Sequence, residues 1–156
     1  MQLRDYQREG VRLGTDDHAV GAAGEHLVCF DLWAMGHRAY QVDRRLAYDV
    51  VLDTNSRLYR VQVKSTRRPA CFVRNTPRSE TGYRFHARSS RRRHDKVYDH
   101  STVDIFAFAA IDIRRVAYML PNSQYSWVFR TDRSSFQTAI DECSLESVLK
   151  QLEAAK

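Results

Sequence analysis

The sequence predicts an α+β domain in which one helix packs against a mixed central sheet that carries added strands and a C-terminal helix. Three patterns support this fold class. A helical pattern covers residues 15–35, period-two alternation of apolar and polar residues marks strands between residues 38 and 66, and a second helical stripe follows residue 144. Since the chain has 156 residues, about the length of one domain, we expect residues 1–156 to form a single domain.

Composition divides this domain into four segments. We expect a basic N-terminal segment at 1–14, the core at 15–66, additional strands with a basic loop at 67–131, and a C-terminal helical region at 132–156. With only 6 Gly and 3 Pro, no flexible linker is visible. No long apolar run and no signal peptide stand out, and the three cysteines are widely spaced. We therefore expect free thiols in a cytoplasmic protein.

The first helix is predicted to begin after Thr15 or Asp16, either of which can cap it, and to end near Gly36. It carries two adjoining stripes, which are Val20, Ala23, Leu27, Phe30 and Ala34, and then Gly21, Glu25, Val28 and Leu32. A glycine inside a helix costs about 1 kcal/mol relative to alanine, so Gly21 and Gly24 are expected where the helix lies close to a sheet. Glu25 then lies on an apolar flank, where a carboxylate needs a cation or a metal.

Strands are predicted on both sides of a basic segment. Three consecutive strands, Arg38–Val42, Leu46–Asp53 and Leu58–Thr66, form a meander with a turn at 54–57. "CFVRN" and "GYRFHA" suggest a hairpin, "DIFAFAAID" and "RRVAYMLP" a buried pair of strands, and "YSWVFR" a last strand. The C-terminal stripe can pack on its own sheet or against a partner subunit, and its members are Leu145, Val148, Leu149 and Leu152.

The second and third strands bring polar residues to one face. With residues 54–57 as the loop, Val50 pairs with Val61, and Asp49 lies opposite Gln62. Lys64 then shares the face of Asp49 and Gln62. Two carboxylates, Glu25 and Asp49, suit a hard divalent ion such as Mg²⁺, which also takes carbonyl and phosphate oxygens. A nearby lysine can activate water or stabilise charge on a phosphate, which is the equipment for phosphodiester hydrolysis.

The segments "GAAGEHLVCFDLWAMGHRAYQV", "YDVVLD" and "YRVQVKST" resemble the core of the PD-(D/E)XK nuclease superfamily, in particular its small branch of intron-associated homing endonucleases. Archaeal Holliday-junction resolvases resemble the chain at the same elements. The similarity covers the chain from Gly21 to Thr66, and the segment "DIFAFAAIDIRRVAYMLP" is similar to later strands of that branch. The resemblance implies a restriction-endonuclease-like αβββαβ core and a DNA endonuclease that depends on Mg²⁺, with Mn²⁺ as a substitute.

By position, the resemblance assigns the catalytic residues. Glu25 corresponds to the helical acid, Asp49 to the motif aspartate, and Gln62, Val63 and Lys64 to the (D/E)XK tripeptide. The implied metal ligands are Glu25, Asp49 and the backbone carbonyl of Val63. Gln62 stands where an acid is usual, and the intron-associated branch resembles this chain in having glutamine there. No proline precedes Asp49.

The charge of the chain favours an anionic partner. Its net charge is +6, and all but four of its 25 basic residues are arginine, whose planar fork matches phosphates and guanine edges. The basic run "RSSRRRHDK" and the arginines upstream predict contacts to double-stranded DNA. The expected DNA-binding residues are Arg74, Arg78, Arg84, Arg88, Arg91, Arg92 and Arg93.

Three functions remain open at this level. The first is a sequence-specific homing endonuclease that makes double-strand breaks, and the second is a structure-selective Holliday-junction resolvase. The third is a non-catalytic nucleic-acid-binding module. Cleavage of both strands calls for two sites of opposite polarity, so we expect a homodimer or a homotetramer.

Overall fold

The computed structural model describes residues 17–43, 45–73, 79–87, 101–122, 127–130 and 145–155, with the backbone alone at 71–73, 79–81 and 127–130. The basic N-terminal segment lies outside these residues. The described helices and strands are α1 (Asp17–Ala34), β1 (Arg38–Gln41), β2 (Val50–Asp53), β3 (Leu58–Thr66), β4 (Ala70–Val73), β5 (Ser79–His86), β6 (Ile105–Ala110), β7 (Arg115–Met119), β8 (Trp127–Arg130) and α2 (Leu145–Ala154).

The described strands form two sheets. The larger sheet has the order β1-β2-β3-β6-β7, and the smaller has the order β4-β5-β8. Only the β3–β6 pair is parallel in the larger sheet, and its other pairs are antiparallel. The mixed sheet with a preceding helix and a C-terminal helix confirms the predicted α+β, restriction-endonuclease-like class. The basic run between β5 and β6 falls at 88–100, outside the described residues.

The large sheet is covered on both faces. One face packs with both helices around a core that includes Val28, Leu32, Val61, Ile105 and Val148. The other face packs with β5, where Tyr83 and Phe85 meet the β6 residues Phe106, Phe108 and Ala110. All six residues of β6 are buried, because a strand in the middle of three layers has no solvent-facing side.

The structure decides which of the two predicted stripes of α1 packs against the sheet. Gly24, Val28 and Leu32 are buried against the sheet, whereas Ala23 and Ala34 are exposed and Phe30 is 70% exposed. The buried row therefore runs from Gly24 through Val28 and Leu32 of the second predicted stripe, whereas Phe30 of the first stripe faces solvent. That glycine lies so close to β3 that a Cβ on it would fall 1.7 Å from Ser65 Oγ.

The expectation of close packing at Gly21 is wrong, because a Cβ there would meet nothing within 4 Å. A second contact fixes the far half of α1, where Tyr118 Oη donates a hydrogen bond of 2.7 Å to Asp31 Oδ2. Burial raises the pKa of Asp31 above its usual range, and that hydrogen bond opposes the rise. The helix ends as predicted at Gly36, whose φ of 87° a residue with a side chain rarely adopts.

Two strands are shorter than expected. The second strand begins at Val50 rather than Leu46, and the first ends at Gln41 rather than Val42. The turn at 54–57 is confirmed, with Asn55 at a φ of 65°, and the third strand has the predicted bounds. The hairpin of β4 and β5 and the antiparallel pair of β6 and β7 are also confirmed.

The C-terminal helix packs on its own domain. Leu145 and Val148 are buried in the helix-side core, and Leu149 and Leu152 pack against it. Of the two readings left open by the sequence, burial on the chain's own sheet is therefore the observed one. Of the helices that the structure describes, none combines the length and apolarity that crossing a bilayer requires.

An ion pair joins Arg60 of β3 to Asp104, which directly precedes β6. Asp104 Oδ2 accepts hydrogen bonds from the backbone N–H and Nε of Arg60 at 2.7 and 3.0 Å, and Asp104 Oδ1 accepts one from Nη2 at 2.9 Å. Asp104 N–H in turn donates to the Arg60 carbonyl at 2.9 Å. Although burial alone would raise the pKa of Asp104, the bonds to Arg60 outweigh it and lower the pKa below its usual range.

The two helical glycines give the first prediction. Gly21→Ala should raise the free energy of unfolding by about 0.5–1 kcal/mol, because alanine is the better helix former and its Cβ meets open space. Gly24→Ala should lower it by more than that, because its Cβ would collide with Ser65 Oγ. Urea unfolding of both variants provides the comparison. Equal effects of the two substitutions would show that α1 does not approach β3 at Gly24.

The Asp104 ion pair gives a pH prediction. Folding lowers the pKa of Asp104 below its ordinary value of 3.8. Asp104 therefore stabilises the fold fully at pH values above 3.8, and this stabilisation is lost as the pH falls through the lowered pKa. Asp104→Asn should lower the free energy of unfolding by about 2 kcal/mol near pH 7. The free energy of unfolding of this variant should also fall less steeply with pH in the acid range. Urea unfolding across the acid range measures both effects, with Asp43→Asn, which alters an exposed pair, as the control. An unchanged acid limb in Asp104→Asn would contradict the prediction.

Candidate active site

The candidate site begins where β2 stops covering β3. The pairs Val50–Val61 and Asp53–Leu58 confirm the predicted register. Asp49 directly precedes β2 and is still held by its backbone, because its N–H donates to the Val61 carbonyl at 3.0 Å and its carbonyl accepts from Val42 N–H at 3.1 Å. Asp49 is therefore fixed between the first and third strands of the meander.

The side chain of Asp49 continues the contact to β3 after the ladder ends. Its Oδ2 accepts a hydrogen bond of 2.8 Å from Val63 N–H and a second from Gln62 Nε2. A buried backbone N–H requires an acceptor, and here a carboxylate provides it in place of a strand carbonyl. The predicted association of Asp49 with Gln62 is thus present as a direct hydrogen bond.

The backbone of Val63 faces the same side as Asp49. Arg60 and Thr66 direct their carbonyls to β6, since these accept from Asp104 N–H and Ile111 N–H at 2.9 and 3.0 Å. Backbone groups of successive residues in a strand point to opposite neighbours, so Val63 turns its N–H and carbonyl away from β6. Its carbonyl accepts a hydrogen bond of 3.2 Å from Gln62 Nε2.

Lys64 lies on the face of the sheet that Gln62 occupies. Its neighbour in β6 is Phe108, which belongs to the buried aromatic cluster on that face. Burial lowers the pKa of the Lys64 amine, and the negative charge of Asp49 partly offsets this shift. The amine therefore gives up its proton more readily than a solvated lysine while it remains in electrostatic contact with Asp49.

Glu25 comes from the helix on the other face. The adjacent Gly24 lies against Ser65 and Ala109, so the helix places Glu25 beside the end of β3, next to the residue that follows Lys64. Burial raises the pKa of the Cys29 thiol, and the charge of Glu25, one helical turn away, raises it further. Glu25 is half-buried, as its predicted position on an apolar flank requires.

The donor set fits a hard cation. Within the described ranges no cluster of three or more His, Cys, Asp and Glu side chains could hold a metal ion, and the predicted ligand set contains only two carboxylates. Asp49 Oδ2 and the Val63 carbonyl oxygen could both bind a cation, and both accept a hydrogen bond from Nε2 of Gln62. Such oxygens are the ligands that Mg²⁺ takes while keeping much of its water. Asp49, Val63 and Glu25 are the residues that would hold it.

Two features of the site are not apparent from the sequence. Gln62 acts as a hydrogen-bond donor to both oxygen atoms, whereas period-two patterning indicated only its face. Ser65 Oγ is buried and makes no hydrogen bond within the described part of the chain. Serine after the (D/E)XK tripeptide carries no signal by itself, and only the neighbouring Gly24 could have suggested a close contact.

The expected DNA-binding residues are only partly described. Arg84 is exposed on β5, opposite Phe129 of β8. The other six lie outside the described residues, and they are Arg74, Arg78, Arg88, Arg91, Arg92 and Arg93.

Comparison with known proteins agrees with this geometry. The profile of the PD-(D/E)XK endonuclease family matches residues 15–134. Among solved structures, the bacterial homing endonuclease I-Ssp6803I superposes with a TM-score of 0.62 at 17% identity, covering 92% of this chain and 98% of its own. No curated protein sequence matches the chain. The matched region contains α1 and every strand of both sheets, and the chain therefore belongs to the PD-(D/E)XK endonuclease family.

Proposed function

We propose that this protein is an Mg²⁺-dependent DNA endonuclease of the homing kind, which makes double-strand breaks at a specific sequence. The contact of Asp49 Oδ2 with Gln62 and Val63, beside the half-buried Lys64 with its lowered pKa, is the observation that carries the proposal. Membership of the endonuclease family and the fold of a homing endonuclease support it. Catalytic roles are proposed for Glu25, Asp49, Gln62 and Lys64.

Each residue has a chemical task in this proposal. A divalent cation held by Glu25, Asp49 and the Val63 carbonyl would offset charge on the scissile phosphate and favour ionisation of water. Lys64 adds a donor directed at the developing negative charge, and its lowered pKa allows its Nζ to exchange a proton with the attacking water. In the metal-free protein, Gln62 keeps the Asp49 carboxylate directed at the end of β3.

The remainder of the domain would bind the substrate. The net charge of +6 attracts the phosphate backbone, and phosphate contacts by arginine would position the duplex without reading its sequence. Arg84 is an exposed candidate for such a contact. A long recognition site also requires surface from more than one subunit of this size, so we propose a homodimer or a homotetramer.

Cleavage assays test the function directly. The protein is incubated with supercoiled plasmid carrying intron-insertion-type sites and with a synthetic four-way junction, each in MgCl2 or EDTA. Linear plasmid in MgCl2 alone would support the homing endonuclease. Cleavage confined to the junction would indicate a resolvase, and binding without cleavage in MgCl2 would indicate a non-catalytic module.

Lys64→Ala tests the transition-state role. We expect the cleavage rate to fall about 100-fold or more while DNA affinity changes little, because a group that acts on developing charge affects rate more than ground-state binding. Single-turnover cleavage and fluorescence anisotropy measure the two quantities. Lys150→Ala is the matched control, since Lys150 is exposed and pairs with Glu146. Cleavage by Lys64→Ala at the wild-type rate would remove Lys64 from the mechanism.

Asp49→Asn and Glu25→Gln test the carboxylates with little change of shape. Both should lose Mg²⁺-dependent cleavage because an amide is a weaker ligand than a carboxylate. We expect Asp49 to be the more sensitive position, and Gln62→Ala to be milder than Asp49→Asn. Plasmid cleavage at increasing MgCl2 gives the order, and circular dichroism verifies folding. Cleavage by Asp49→Asn in EDTA would refute the metal mechanism.

The assembly requires a surface other than the apolar face of α2, which packs on its own domain. Phe30, Trp33 and Tyr40 are 70%, 52% and 50% exposed, and the rings of Trp33 and Tyr40 lie 6.5 Å apart. Exposed apolar patches of this kind often mark protein interfaces. We expect Phe30→Glu to convert the oligomer to smaller species in sedimentation equilibrium, while Leu58→Glu, at an equally exposed position, does not. A monomeric wild-type protein with and without DNA would contradict the proposed assembly.

A further inference from the structure

The side-chain amide of Gln62 lies between two oxygen atoms that the proposed site offers to a cation. Within the part of the chain that the structure describes, Gln62 is the only buried polar residue, with 6% of its surface exposed. Its Nε2 donates to Asp49 Oδ2 and to the Val63 carbonyl, the latter at 3.2 Å. An amide nitrogen has two N–H groups, so both are used.

This arrangement makes the amide nitrogen a substitute for a positive charge. Carboxylate and carbonyl oxygens repel each other unless a positively polarised group separates them, and the Nε2 hydrogens supply that group. We propose that Gln62 Nε2 holds the place of the cation in the metal-free protein, and that the amide turns over to present Oε1 when the site is loaded. This inference rests on the proposed function for the nature of the cation.

The geometry of glutamine lets the amide turn at little cost in free energy. Rotation about the terminal torsion of glutamine is broad and roughly two-fold, and the nitrogen and oxygen ends of the amide are similar in size. The buried aliphatic part of the side chain can therefore stay in place. Glutamate at position 62 would lack N–H donors and would set a second carboxylate against Asp49 in the metal-free protein.

Gln62→Glu is therefore the decisive substitution. In EDTA we expect its Tm to fall by about 5 °C or more, since a charge-assisted hydrogen bond is replaced by a like-charge contact. Addition of excess MgCl2 should raise the Tm of Gln62→Glu more than that of the wild type. Gln151→Glu is the matched control, because it makes the same change at an exposed glutamine of α2, and its Tm should respond to MgCl2 as the wild type does.

Two thermal results would overturn the inference. One is a Tm of Gln62→Glu in EDTA equal to that of the wild type, and the other is a lowered Tm that MgCl2 raises no further than in the wild type. Gln62→Met loses the donors without gaining a charge, so its Tm in EDTA should lie between the other two. A Gln62→Met protein that is less stable than Gln62→Glu would also contradict the proposed role.

The wild-type protein gives a direct reading that needs no stable variant. In amide NMR spectra, the side-chain resonances of Gln62 are identified by their absence from Gln62→Met. Excess MgCl2 should shift both these resonances and the Val63 backbone N–H. A shift of Val63 with unmoved Gln62 resonances would show that the amide does not turn. Unmoved resonances at both residues would exclude cation binding here, and the inference with it.

These experiments test the turning amide separately from the proposed endonuclease function. Plasmid cleavage in MgCl2 with unmoved Gln62 resonances would support the endonuclease and overturn the turning amide. Selective displacement of the Gln62 resonances by MgCl2, in a protein that cuts no DNA, would support the turning amide and overturn the endonuclease.

Discussion

The candidate site depends on one hydrogen bond, which Val63 N–H donates to Asp49 Oδ2. It forms because β2 begins one residue after Asp49 while β3 runs on. A backbone carbonyl of a longer β2 would satisfy the Val63 N–H, and the Asp49 side chain would then be free to point elsewhere. Because β2 pairs with β3 only as far as Val50, the Asp49 carboxylate reaches the edge of β3. The backbone of Asp49 is held by hydrogen bonds to Val61 and Val42.

The layers packed on the large sheet determine how exposed the polar residues of the site are to solvent. Both faces of the sheet are packed, with helices on one and the smaller sheet on the other. Gln62 is therefore buried, and Lys64 half-buried, on a face lined by aromatic residues of β6. The resulting desolvation explains why the pKa of Lys64 is lowered even with Asp49 nearby. Gly24 completes the arrangement, since only a glycine at this position allows α1 to lie so close to β3.

The similarity to I-Ssp6803I illustrates how little of the sequence this fold fixes. At 17% identity the two chains share a TM-score of 0.62 over nearly their full lengths. In this chain the fold rests on a burial pattern and on the close contact of α1 with β3 at Gly24. Many apolar residues satisfy the burial pattern. Asp49 and Gln62 have far fewer alternatives, because each bonds particular atoms of another residue of the site.

Sequence patterns alone determined the fold class, the register of β2 and β3, and the common face of Asp49, Gln62 and Lys64. These features depend on periodicity and turn chemistry, which act over a few residues. Only the tertiary structure decided that α1 packs through Gly24 and leaves Phe30 exposed, that α2 covers its own sheet, and that Gln62 donates to both Asp49 and Val63. The two stripes of α1 adjoin each other, so the choice between them depends on the close contact of Gly24 with Ser65 across the interface. The direction of the Gln62 amide likewise depends on atoms brought together from two strands, and no local pattern encodes that contact.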